Sequence, residues 1–171
     1  RLVHDVLFAP DPRQRLALWL NQAGAAGRAA QAFNGFPTPD TLLEQARLLD
    51  QALALNPLPE PLIAHRGLDH IGFMAGHDPD DLQTLVGTTQ TEPGYLSTSL
   101  GANAHLPNWN HRMPIELHLA LPTGTHGLWP GRHSRVPAQR ELILPRGTRY
   151  RIKRAAINSE GILHLHADVL P

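Results

Sequence analysis

Gln139-Arg140-Glu141-Leu142-Ile143-Leu144-Pro145-Arg146-Gly147-Thr148 decides how this chain is read. A polar start runs into three apolar residues and stops at a Pro-Arg-Gly turn, which is the pattern of a short buried strand. Side chains on an extended chain alternate, so Gln139 and Glu141 are expected on one side, directed into one cleft. Two further stretches precede it. Leu62-Ile63-Ala64-His65-Arg66-Gly67-Leu68 is an apolar run closing on Arg-Gly, and Gly94-Tyr95-Leu96-Ser97-Thr98-Ser99-Leu100 is a strand pattern with three hydroxyl side chains. Ile115-Glu116-Leu117-His118-Leu119-Ala120-Leu121 alternates strictly, as does Tyr150-Arg151-Ile152-Lys153, and Ile162 to His166 nearly does. Pro-Gly loops separate these strands.

The first third reads differently. Asp11 followed by Pro12 marks a helix start, with an Ala-rich continuation to about Gln31. Phe33-Asn34-Gly35-Phe36-Pro37 breaks it. Asp40 or Thr41 opens a second helix, with Leu42, Leu43, Ala46, Leu49 and Leu53 on one face, and Asn56-Pro57 stops it. Asp78-Pro79-Asp80-Asp81-Leu82 reads as another helix start. Helices first and strands second give an α+β fold, with the sheet expected as a two-layer sandwich. The expected organisation is a single domain over 1–171, a mainly helical lobe at 1–60 and a mainly β core at 61–171.

A chain of 171 residues, 42% hydrophobic, is long enough to bury a real core. No apolar run approaches the ~20 residues of a membrane span, and no partner membrane is expected. Without cysteine there is neither a disulfide nor a thiolate metal site. The opening Arg1-Leu2-Val3-His4-Asp5 shows no signal peptide and no starting Met, so the chain is expected to be a processed product or a piece of something longer. The net charge of zero is unevenly spread. Residues 1–100 carry six Arg against eleven acidic groups, and residues 101–171 carry eight Arg and Lys153 against four. A basic half can face the phosphates of a dinucleotide or a nucleic acid, or simply face solvent, and composition leaves both open. No Gly-x-Gly-x-x-Gly or phosphate-loop motif is present, which argues against a Rossmann or nucleotide-hydrolase fold. Eleven histidines invite a metal. His164 and His166 share a strand face, but no partner stands at ligand spacing along the chain, so the histidines are expected to be scattered and no metal is expected.

Arg-Gly, then Gly-Tyr-Leu-Ser-Thr-Ser, then Gln-x-Glu running into Leu-Pro-Arg-Gly-Thr: in this order the three stretches resemble the Arg-Ser-Glu class of mono-ADP-ribosyltransferase toxins, the bacterial exoenzyme family, in its Gln-x-Glu variant. Leu119 to Thr125 is similar to that family's strand and Pro-x-Gly turn. The resemblance covers about residues 61–155; it departs from the family at His65, where an aromatic residue is usual before the Arg. It implies an enzyme that takes NAD+ as co-substrate. Arg66 would clamp the diphosphate and Gly67 would offer backbone groups to the nicotinamide. Ser97 would orient the catalytic Glu141, with Thr98 and Ser99 securing the strand junction. In the loop Ala102 to Arg112, Trp109 would stack and Arg112 would make a second phosphate contact. Trp129, Arg132 and Arg135, with Arg140, would recognise the acceptor.

Gln139 would help to select that acceptor. A glutamine cannot act as a base or pair with a guanidinium, but it can hydrogen-bond an amide or hydroxyl. The implied acceptor is therefore not arginine, and is either a protein side chain or an RNA hydroxyl. The resemblance further implies a toxin delivered as part of a larger protein into the cytoplasm of a target cell, used between bacteria and matched by an immunity protein. An NAD+ glycohydrolase on the same scaffold and a non-catalytic nucleic-acid-binding module are the competing readings.

Overall fold

The structure is a computed structural model and describes residues 39–101, 113–134 and 140–171. The expected helix from Pro12 to Gln31, together with Trp109, Arg112, Arg135 and Gln139, lies outside the described residues. Among these residues the chain forms helix α1 (Pro39–Ala54) and strands β1 (Leu62–Leu68), β2 (Thr89–Thr91), β3 (Leu96–Ser99), β4 (Ile115–Leu121), β5 (Glu141–Leu144), β6 (Arg149–Ile157) and β7 (Leu163–Val169). The α+β class read from the sequence holds.

The strands make one hydrogen-bonded sheet in the order β2-β6-β7-β4-β1-β3-β5. Neighbours are antiparallel except β4 and β7, which run parallel. Between β1 and β3 the register consists of one pair, His65 opposite Ser99. The sheet thus has a long half, β2-β6-β7-β4-β1, and a short half, β3-β5. Leu96, Leu142 and Leu144 of the short half pack in one buried cluster with Leu117, Leu119, Ile152 and Leu165 of the long half. The two expected layers are therefore two halves of a single sheet that share one core.

Alternation explains which residues fill that core. Ile115, Leu117, Leu119 and Leu121 of β4 and Leu163, Leu165, Ala167 and Val169 of β7 are all buried on one face. The segment between β1 and β2 adds Ile71, Met74 and Leu85. Gln90 ties that segment down: its side-chain oxygen accepts from Ala75 N–H at 2.8 Å and its amide donates to the Ala75 carbonyl at 2.9 Å. The helix expected from Asp78 is only the 3-10 turn Leu82–Leu85, capped by Asp81, whose carboxylate accepts from Gln83 N–H. Val86 turns extended and Gly87 adopts a φ of 87°, which only glycine reaches without strain, so helical propagation ends there.

Helix α1 buries Ala46 and Leu53, two turns apart on one stripe, against Tyr95, Leu128 and Ile143. It is held there by polar contacts as well. The Tyr95 hydroxyl lies 2.6 Å from Asp50 Oδ1 and 2.8 Å from the Ala46 carbonyl oxygen. Arg146 pairs with Asp50 through its guanidinium and lies over the Tyr95 ring, 5.3 Å from its centre. Asp50 raises the Arg146 pKa, and burial is the largest cause of the raised pKa of Tyr95.

Candidate active site

Strands β3 and β5 pair with Ser99 opposite Glu141 and Ser97 opposite Ile143. Directly opposed residues share a face, so Ser97, Ser99 and Glu141 project together, with Ser97 on the diagonal from Glu141. The Ser97 hydroxyl donates to Glu141 Oε1 at 2.6 Å, a length expected for a bond to a charged carboxylate. That bond fixes one carboxylate oxygen and leaves the other to act. Thr98 faces the opposite way, is buried, and donates to the Leu142 carbonyl at 2.7 Å, which locks β3 to β5. Ser99 accepts from Gly101 N–H at 3.0 Å and so shapes the exit of β3.

The approach to Glu141 differs from the sequence expectation. The strand begins at Glu141 itself, and Arg140 before it has a φ of 49°. A non-glycine residue in the left-handed region costs ~1 kcal/mol or more. The chain is not extended at Arg140, so the period-two argument that placed Gln139 beside Glu141 does not apply across it. The Arg140 carbonyl accepts from Leu100 N–H at 3.1 Å, which continues the ladder one step past the strand, and the residue is exposed.

Arg66 sits two strands from Glu141, a spacing of ~10 Å. Alternation directs it to the face of Ala64 and Leu68, where its guanidinium lies 4.0 Å from Glu92. The structure thus brings Ser97 and Glu141 into contact and places Arg66 apart from them. Gly67 follows Arg66 and is paired with Glu116 of β4. Trp129 is exposed, at 61% of its surface, and Arg132 lies in the 3-10 turn Gly131–His133 that follows it. The basic run Arg149 to Arg154 lies on β6, far from β5 in sheet order.

One row of side chains crosses the whole sheet face. It runs Glu141, Ser99, His65, His118, His166, Arg154 through successive strand pairs. A parallel row beside it holds Gly67, Glu116 and His164. Four of the eleven histidines, His65, His118, His164 and His166, therefore gather on one sheet face, with partners from neighbouring strands that spacing along the chain could not show. Glu116 is 4% exposed and faces three imidazole nitrogens: His65 Nδ1 at 3.3 Å, His164 Nδ1 at 3.7 Å and His118 Nε2 at 4.0 Å. His118 Nε2 and His164 Nδ1 are 2.8 Å apart, and the Asn158 amide lies 3.0 Å from His164 Nε2. His118 stacks on His166. Burial pushes the His118 pKa down to about 4 and lowers that of His166.

The sequence model of the ADP-ribosyltransferase exoenzyme family matches residues 26–169, and the chain belongs to that family. It is an NAD+-dependent ADP-ribosyltransferase of the toxin class. Among solved structures it is similar to Plx2a, an ADP-ribosyltransferase toxin from Paenibacillus larvae, at 28% identity and a TM-score of 0.62 over 84% of this chain and 78% of that one. It is also similar to an ADP-ribosyltransferase from Clostridium botulinum, solved in a triclinic form, at 25% identity and a TM-score of 0.61 over 84% and 77%. A third, C3stau2 from S. aureus, solved with NAD, is 26% identical with a TM-score of 0.62 over 77% and 72%. No curated protein sequence matches the chain.

Proposed function

We propose that Glu141 and Ser97 form the catalytic pair of this transferase, in a single domain whose β part, from about residue 61, binds NAD+. The observation that carries the reading is the 2.6 Å bond from the Ser97 hydroxyl to Glu141 Oε1. The bond between nicotinamide and ribose breaks with its electrons leaving on nicotinamide, and positive charge develops at the ribose as an oxocarbenium ion. A fixed carboxylate beside that cation lowers the barrier, since preorganised charge need not reorient during the reaction. Glu141 supplies it and hydrogen-bonds a ribose hydroxyl through its second oxygen, while Ser97 holds the first.

Arg66 exchanges its 4.0 Å contact with Glu92 for the diphosphate, which a guanidinium grips with two parallel bonds. Gly67 offers its backbone to the nicotinamide amide, and Trp109 and Arg112 cover the bound dinucleotide. Thr98 and Ser99 hold the strand junction beneath it. Acceptor choice belongs to Gln139 with Trp129, Arg132, Arg135 and Arg140. An amide at position 139 suits an amide or hydroxyl nucleophile better than a guanidinium, so the acceptor is a non-arginine protein side chain or an RNA hydroxyl. The toxin class supports an effector acting inside a target cell; use between bacteria, with a producer that carries an immunity protein, is part of the proposal.

The test is transfer of label from adenylate-labelled NAD+ in a bacterial lysate, with Glu141→Ala alongside and products split between protease and ribonuclease. Label lost only with protease gives a protein acceptor, and label lost only with ribonuclease gives RNA. Nicotinamide release without bound label leaves a glycohydrolase. No release from the unmodified chain, or full release from Glu141→Ala, would overturn the assignment.

A further inference from the structure

We propose that His65, Glu116 and His118 form a zinc site that ties β1 to β4 next to the catalytic row. Their ligand atoms all lie within 4.8 Å of one another, and Glu116 and His118 are held in register against Gly67 and His65. Two ligand atoms each ~2.0–2.1 Å from a tetrahedral zinc stand roughly 3.3 Å apart. His65 Nδ1 and Glu116 Oε1 are 3.3 Å apart, and His118 Nε2 is 4.0 Å from that same oxygen. The remaining separation, between the two imidazole nitrogens, lies within 4.8 Å, so an adjustment of roughly 1–1.5 Å in the imidazoles completes the geometry.

The polar accounting points the same way. His65 Nδ1 is buried and has no hydrogen-bond partner, although a carboxylate oxygen stands 3.3 Å from it. A buried nitrogen left in that condition costs ~1–3 kcal/mol. A cation beside Glu116 Oε1 satisfies that nitrogen. His118 Nε2 accepts a hydrogen bond from His164 Nδ1 when the Asn158 amide donates to His164 Nε2 in turn, so His118 Nε2 carries the lone pair that a metal needs. Zinc at His118 Nε2 takes over the lone pair that otherwise accepts from His164 Nδ1–H, and that N–H then turns to Glu116 Oε2, 3.7 Å away, or to a water in the open fourth position. Two imidazoles and one carboxylate suit zinc and its cobalt substitute; magnesium and calcium prefer all-oxygen sets.

The placement gives the metal a role. His65 immediately precedes Arg66 and Gly67 and lies opposite Ser99, which lies opposite Glu141. Zinc bound there fixes the strand end that presents Arg66, from outside the reacting groups.

The experiment is metal binding without NAD+, so its outcome is independent of the catalytic proposal. The chelator-stripped chain is titrated with Zn2+ and separately with Co2+, following bound metal, the Co2+ visible spectrum and the melting temperature. One equivalent is expected, with an intense tetrahedral Co2+ spectrum and a melting temperature that rises with free Zn2+. His65→Gln and His118→Gln should each weaken binding by at least roughly tenfold. His70→Gln, at an exposed position outside the cluster, should leave it unchanged, and Glu141→Ala should bind as the unmodified chain does. Stoichiometric binding that survives in the His65→Gln, His118→Gln double variant would place the metal elsewhere and overturn the proposal. So would a stripped chain that takes up no Co2+ into a tetrahedral site. If the double variant does not fold, the unmodified chain's Co2+ spectrum decides alone, since imidazole–carboxylate ligation in a buried site differs from the weak spectrum of an octahedral aquo ion.

Discussion

In the proposed mechanism Glu141 owes its usefulness to being held. A carboxylate on a strand edge samples several rotamers, and the Ser97 hydroxyl removes that freedom with one bond of 2.6 Å. Hydrogen bonds to charged groups contribute ~1.5–3 kcal/mol. Ser97→Ala should therefore lower kcat by roughly ten- to a hundredfold while KM for NAD+ moves little, as steady-state nicotinamide release would show. A rise in KM with unchanged kcat would mean that Ser97 touches substrate instead. Glu141→Gln should lower turnover by on the order of a hundred- to a thousandfold or more, with an unaltered circular dichroism spectrum and melting temperature. In the proposed mechanism Arg66 serves binding, so Arg66→Ala should raise the Kd for NAD+ at least tenfold, measured by calorimetry. Were affinity unchanged and only stability lost, its contact with Glu92 would be its whole role. Some of this was legible from the chain. Ser97, Glu141 and Arg66 stand out by residue type and order. The left-handed turn at Arg140 does not, because arginine carries no propensity for it; it coincides with the ladder bond from Leu100 N–H to the Arg140 carbonyl.

At the scale of elements, the strands carrying the site are anchored by α1, which packs on Tyr95 and Ile143 of the same sheet face that carries Ser97 and Glu141. Tyr95 lies two residues before Ser97 and Arg146 five after Glu141, and both meet at Asp50 of the helix. The resemblance already marked Tyr95 and Arg146 as part of its motifs, but their contact with Asp50 is long range and no local pattern announces it. Tyr95→Phe keeps the ring and loses the hydroxyl, whose single proton is shared between Asp50 and the Ala46 carbonyl, while Asp50 keeps Arg146. It should lower stability by about 1–2 kcal/mol, read as a smaller urea midpoint with an unchanged slope. A larger loss with a changed slope would indicate that α1 has come away from the sheet. Strands β4 and β6 were readable because strict alternation points to an extended strand, and β7 because it nearly alternates. The 3-10 turn at Leu82 was over-read as a helix because a cap signal says where helicity starts but not how far it runs. Glu116 and His118 were likewise readable as residues and invisible as partners of His65 and His164, since strand register decides who meets whom.

At the scale of the whole molecule, both tyrosines of the chain report on folding. Burial raises the pKa of each, that of Tyr150 to about 12. An unfolded tyrosine ionises near ~10. Between those values the folded chain keeps protons that the unfolded chain has lost, so stability is complete below about pH 10 and falls as pH rises toward about 12. The loss for Tyr150 alone is on the order of 2 kcal/mol. An absorbance titration should show phenolate appearing together with the loss of native circular dichroism. Phenolate near pH 10 in a chain that still shows its native spectrum would contradict the burial of these rings.

The meeting of β1 and β3 in the single pair His65 and Ser99 has a consequence for how the protein fails. Arg66 stands on one side of that narrow join, and Ser97 and Glu141 stand on the other. Local opening there leaves most of the core intact while parting the groups proposed to grip one dinucleotide together. Amide protons of β3 and β5 should exchange with deuterium faster than those of β4 and β7. On slow heating, NAD+ cleavage should vanish several degrees before the calorimetric transition, so the working temperature of this enzyme is set by its weakest seam and not by the melting point of its core.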